Sequence, residues 1–113
     1  MTVNEYQYDA LRTETNVQPD DLFGRTLQGL LGLGGEAGEC LDIFKKYIFQ
    51  GHDFDTKHLA LELGDVAWYL AVTASAIGYT LDDIFRMNIE KRQARYPEGF
   101  DSELSQNRSA NDI

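Results

Sequence analysis

The 113-residue sequence is poor in several things: it holds one cysteine, two prolines and ten basic side chains against nineteen acidic ones. A single cysteine excludes an internal disulfide, so a chain of this length rests on one hydrophobic core. Cys40 falls within an apolar helical pattern, where it reads as a small buried hydrophobe, and no histidine stands near it in sequence to activate a nucleophile. The formal net charge of −9 repels the phosphate backbone and argues against a long nucleic acid as partner. A small polyphosphate stays compatible with that charge, because divalent cations held by carboxylates bind it. No apolar run approaches the roughly 20 residues of a membrane span. The opening stretch MTVNEYQYDALRT is polar and acidic, unlike a secretory signal or a transit peptide, and cytoplasm is the expected location.

What is present reads as helix. Between Pro19 and Pro97 no strand alternation occurs, and apolar residues recur at helical spacing. A short first helix includes Tyr6, Tyr8 and Ala10 and closes between Leu11 and Thr15. Pro19, Asp20 and Asp21 form a turn and a helix-start signal. The second helix runs from about Leu22 to Phe49, with Gly32, Gly34 and Gly35 as a point where it could bend. The segment from Gln50 to Asp55 is a loop. Asp55 or Thr56 caps a third helix lasting to about Ile77, with Gly78 as the glycine just past its end. Thr80, Asp82 and Asp83 start a fourth helix that stops before Pro97. The expected fold is all-α: an antiparallel bundle of four to five helices forming one domain over residues 1–101. Residues 102–113 make a polar tail with little to bury, expected to fray.

The two middle helices carry the sharpest pattern. A helix turns about 100° per residue, which fixes the direction of each side chain relative to the others. In the second helix Ala37, Cys40, Leu41, Phe44, Tyr47 and Ile48 form an apolar stripe. Glu36 and Glu39 lie roughly 85° and 145° to one side of it. In the third helix Leu59, Leu63, Val66, Ala67, Leu70, Ala74 and Ile77 form the matching stripe, with Glu62 and Asp65 at nearly the same two angles. Antiparallel packing through these stripes lets both acid pairs converge on one edge. Four carboxylates there repel one another unless a cation sits among them, and oxygen-only ligands suit Mg²⁺, with Mn²⁺ as the near equivalent. A solvated helix surface paired with Lys45 and Lys46 is the simpler alternative. Two pairs in the same phase, each among small or apolar neighbours, favour metal.

Gly34, Gly35, Gly38 and Gly64 flank these acids, and each costs about 1 kcal/mol of helix propensity relative to alanine. Close helix packing, and space for a metal and its phosphate ligand, are their expected uses. On the fourth helix Leu81, Ile84, Phe85 and Asn88 share a face that Lys91, Arg92 and Arg95 continue. These bases either complement the helix dipole or hold phosphate oxygens. Leu61, Trp68 and Val72 form a second apolar face on the third helix, which points to a subunit interface. Trp68, Tyr69, Phe23 and Tyr6 read first as core or subunit-interface residues, with stacking on the ring of a ligand as the alternative.

EAGE (Glu36 to Glu39) followed after 22 intervening residues by ELGD (Glu62 to Asp65) resembles the E-x-x-E … E-x-x-D pattern of the MazG-like all-α nucleoside triphosphate pyrophosphohydrolases. The likeness spans about residues 5 to 100 and takes in an N-x-x-K element and RYPEGF. It implies an all-α fold with the acids on two antiparallel helices. The implied activity is Mg²⁺-dependent cleavage of a nucleoside triphosphate to monophosphate and pyrophosphate in nucleotide-pool housecleaning, usually by a homodimer or homotetramer. By that resemblance Glu36, Glu39, Glu62 and Asp65 are the metal ligands, and Asn88 and Lys91 contact substrate phosphates. Lys46 falls where many members place a lysine near the phosphates, and Arg95 is a further candidate. Glu39, with Glu36, is the candidate for the catalytic pair. The resemblance leaves the base-binding residues unassigned. A di-iron carboxylate protein lacks its Glu-x-x-His pairs here, and an HD-type phosphohydrolase lacks histidines beyond His52 and His58. The non-enzymatic alternative is a helical interaction module whose acids bind a basic partner.

Overall fold

The computed structural model describes every residue except 16, 17, 19, 110, 111 and 113; the turn signal expected at Pro19 lies outside the described residues. The described residues form five helices: α1 (Val3–Leu11), α2 (Leu22–Phe49), α3 (Thr56–Ala76), α4 (Leu81–Arg95) and α5 (Ser102–Gln106). No strand occurs among the described residues, and no single helix is long and apolar enough to cross a membrane. The chain divides into two compact units, Met1–Leu81 and Asp82–Ile113.

Local chemistry sets the helix ends in the first unit. Thr2, Asp21 and Asp55 cap α1, α2 and α3, their side chains accepting from the backbone N–H of Glu5, Gly24 and His58. Such caps satisfy donors that the helix itself leaves bare. Gly78 follows the end of α3 with a φ of 85°, a left-handed conformation that glycine adopts without Cβ strain.

α2 and α3 pack against each other as an antiparallel hairpin. Contacts advance along α2 as they retreat along α3: Gly29 meets Thr73, Gly32 meets Tyr69, and Glu36 meets Glu62 and Asp65. At Gly29 and Gly32 a Cβ would collide with the facing side chain, so these two glycines set the close approach. Gly34, Gly35, Gly38 and Gly64 have no neighbour within 4 Å of where a Cβ would stand. The packing role expected of them is therefore not met within this chain, because the tightest contact falls one to two turns nearer the start of α2.

α1 lies on α3. Gln7, only 7% exposed, donates through Nε2 to the carbonyls of Ala71 (3.2 Å) and Tyr79 (3.1 Å) and accepts through Oε1 from Leu81 N (2.9 Å). Trp68 Nε1 donates to Ala10 O (3.1 Å) and Thr13 Oγ1 (2.9 Å). The second apolar face of α3, expected to meet another subunit, is thus covered at Trp68 and Val72 from within the chain, and only Leu61 stays exposed. The sequestered ion pair Arg25–Glu14 (2.9 Å) ties the segment after α1 to α2. The core consists of Ala10, Ala71, Val72, Ala74, Ala76 and Leu81. The C-terminal half of α3 is buried on several sides and its N-terminal half is open.

The second unit holds the rest of α4, the RYPEGF turn and α5. Asp82 and Asp83 occupy the first turn of α4 and Arg92 and Arg95 the last, each sign complementing the helix dipole. RYPEGF forms a tight turn: Gly99 has a φ of 99° and the rings of Tyr96 and Phe100 lie 5.2 Å apart. The tail expected to fray carries α5, capped by Asp101, because that acid satisfies two backbone donors at the helix start.

Candidate metal centre

The α2–α3 hairpin brings three of the four expected acids together. One carboxylate oxygen from each of Glu36, Glu62 and Asp65 lies within 4.8 Å of the other two. Glu36 and Glu62 are half-buried and Asp65 is exposed. The arrangement follows from phase and register: both pairs project to one side of their helices, and the antiparallel register sets Glu36 beside Glu62 and Asp65.

Electrostatics mark the trio as short of positive charge. The Glu36 carboxyl is held above its usual range, first by a hydrogen bond shared with Glu62, then by desolvation, then by the charges of Asp65, Glu62 and Glu39. Two carboxylates at hydrogen-bonding distance keep a proton between them because both cannot ionise cheaply. A hard divalent cation relieves the same repulsion, and an oxygen-only donor set with one open, exposed side fits Mg²⁺ or Mn²⁺. The residues present therefore fit such an ion.

Glu39 is not a member of that trio. It lines an adjoining cleft of about 330 Å³ together with Asp42, Ile43, Lys46, His52, Asp53, Asp55 and His58. The trio and the cleft meet at His58, whose Nε2 lies 3.3 Å from Glu62 Oε1. Lys46 pairs with Asp42 Oδ2 at 2.9 Å, and Lys45 takes the other oxygen at 2.9 Å. These two ammonium groups pull the Asp42 carboxyl down to about 2. Sequence reading missed Asp42 as the partner of both lysines, although its spacings of three and four residues on one helix signal it.

The aromatic candidates divide. Trp68 and Tyr69 stack edge to face at 4.9 Å, and each is committed to packing, Trp68 on α1 and Tyr69 on Gly32. Phe23 is exposed. Burial, then the charges of Asp65 and Asp9, push the Tyr6 phenol up, which places Tyr6 within electrostatic reach of the acidic edge.

In the second unit Asn88, Lys91 and Arg95 line one cleft of about 560 Å³ with Ile84, Met87, Ala94, Ser109 and Asp112. Their spacing along α4 puts them on one stripe. Asn88 Oδ1 accepts from Arg92 Nε at 2.9 Å.

Comparison with known proteins agrees with this geometry. The model of the MazG nucleotide pyrophosphohydrolase domain matches residues 26–100, a span that holds all four acids and the α4 stripe. The chain is 33% identical over 107 residues to the gene 37 protein of Mycobacterium phage L5, covering 88% of this chain and 92% of that one. No solved structure matches. With two thirds of its length under the family model and Glu36 facing Glu62 and Asp65 across one helical hairpin, the chain belongs to the MazG nucleotide pyrophosphohydrolase domain family.

Proposed function

We propose that this protein is a Mg²⁺-dependent nucleoside triphosphate pyrophosphohydrolase, cleaving a (deoxy)nucleoside triphosphate to the monophosphate and pyrophosphate as a step in clearing the nucleotide pool. The observation that carries the reading is the trio of carboxylate oxygens from Glu36, Glu62 and Asp65 within 4.8 Å of one another, inside the span matched by the family model. Glu36, Glu62 and Asp65 would hold the ion, with Glu39 as the fourth acid on its flank. When bound, the ion supplies charge neutralisation and Lewis-acid polarisation of a phosphoryl oxygen. Glu39, exposed and outside the trio, lines the adjoining cleft, and in this reading it would be the side chain that takes a proton from the attacking water. Asn88, Lys91 and Arg95 on the α4 stripe, and Lys46 beside Glu39, are the donors for phosphate oxygens; such donors favour the charge that builds on the leaving pyrophosphate.

The reading includes a homodimer or homotetramer. Its support is the apolar surface that α2 leaves open, where Leu31, Leu41 and Phe49 are 68%, 73% and 79% exposed, together with the lack of any wholly buried large side chain among the described residues.

The test is a panel of canonical and modified nucleoside triphosphates incubated with Mg²⁺ and assayed for products. Monophosphate and pyrophosphate in equal amounts, with turnover lost in Glu39→Gln, are the expected result. Release of inorganic phosphate, or turnover unchanged without divalent cation, contradicts the proposal.

A further inference from the structure

His58 stands one helical turn before Glu62 on α3, and its Nε2 lies 3.3 Å from Glu62 Oε1. Side chains on a helix lean toward its N-terminus, so a carboxylate at position 62 reaches back over position 58. The other three acids, Glu36, Glu39 and Asp65, have Gly32, Gly35 and Leu61 at the equivalent place, none of which has a side chain able to donate a hydrogen bond. The backbone under His58 is anchored: its N–H donates to Asp55 Oδ1 at 2.9 Å, in the cap that opens α3. The imidazole is 54% exposed and the Glu62 side chain 19%. His58 is not a member of the trio; it touches one of the three from outside.

We propose that His58 is a positioning residue for the metal centre: its Nε2–H donates to Oε1 of Glu62 and holds that carboxylate in the orientation in which it serves the ion. The inference rests on reading the trio as a metal site. A glutamate side chain turns about several bonds, and ordering it on an ion costs entropy. A donor that already fixes one carboxylate oxygen removes part of that cost beforehand, as partners of metal-ligating carboxylates do. Glu36 and Asp65, which face Glu62 in the trio, repel it when ionised, whereas an imidazole N–H holds it. A pair this open to water contributes little to stability, so loss of the imidazole leaves the fold in place and is felt by the ion.

Mn²⁺, titrated calorimetrically into the metal-free full chain at one fixed pH, is the probe. His58→Ala is expected to bind it about tenfold more weakly than the unaltered chain. His58→Gln restores an N–H donor one turn before Glu62 without an imidazole, and is expected to bind within about threefold of the unaltered chain. His52→Ala removes the other imidazole that lines the adjoining cleft and is expected to leave affinity unchanged. Equal affinity in the unaltered chain and His58→Ala sinks the proposal and leaves the metal site standing. A loss as large in His58→Gln as in His58→Ala makes the imidazole itself a ligand and overturns the positioning role. An equal loss in His52→Ala assigns the effect to removal of any imidazole from the cleft and overturns it as well. If the unaltered chain shows no saturable binding, the metal reading falls and the proposal falls with it.

Discussion

Glu36 is the residue on which the site's electrostatics turn. Its carboxyl is held above the usual range, chiefly by the bond it shares with Glu62, so the folded chain binds a proton there more tightly than the unfolded chain does. The stabilisation is then fully present below the ordinary carboxylate range and is lost as pH rises through the raised value. In metal-free protein the melting temperature is expected to fall over that window, and saturating Mn²⁺ is expected to remove the fall, because the ion takes over the proton's role. Differential scanning calorimetry at a series of pH values checks this; a metal-free profile flat across the window speaks against the crowding of Glu36. The acids themselves were legible in the sequence because helical phase is fixed by residue spacing. The detachment of Glu39 from the trio was not. Phase gives the direction of a side chain but not the register between two helices, and register decides which acids come within reach.

Helix ends were legible to within a few residues, because Asp21, Asp55 and Gly78 carry local signals that need no tertiary information. Helix contacts were less so. The glycines beside the acids drew notice for their number, yet the close approach falls at Gly29 and Gly32, and one sequence does not announce which glycine will face an aromatic ring. At Gly32 two effects oppose each other. Alanine gains about 1 kcal/mol of helix propensity, while a methyl driven into the Tyr69 ring costs about 1–3 kcal/mol. The methyl would stand far inside van der Waals contact with the Tyr69 ring, so the clash wins. Gly32→Ala is expected to destabilise by up to about 2 kcal/mol in urea unfolding, and a stabilised variant contradicts the packing described. Gln7 is a buried polar group whose role no local pattern revealed. It holds two carbonyls and one N–H where α1 crosses the end of α3. Gln7→Leu keeps the volume and strands those groups, with an expected loss of about 1–3 kcal/mol; an unchanged unfolding midpoint shows that water or a backbone shift replaces the side chain.

At the scale of the molecule, the proposed assembly rests on an apolar surface that the chain itself leaves open. The apolar stripe of α2, read from the sequence as a core face, ends up substantially exposed at Leu41, Phe44, Tyr47 and Ile48. Phe44, Tyr47 and Phe54 hold one another in a cluster with ring centroids 5.3–5.9 Å apart. The stripe was legible; what covers it was not, because periodicity marks a face as apolar without naming its partner. Leu31→Glu, on the open surface of α2, is expected to shift light-scattering mass toward the monomer, and an unaltered mass removes that surface from the proposed assembly. The central claim concerns the trio, and calorimetric titration of the metal-free chain with Mn²⁺ tests it most directly. The account predicts saturable binding in the unaltered protein, weakened about 10-fold to 100-fold in Glu62→Gln, with that variant still folded and relieved of the repulsion around Glu36. Equal Mn²⁺ affinity in the two proteins, or no saturable binding in either, contradicts it.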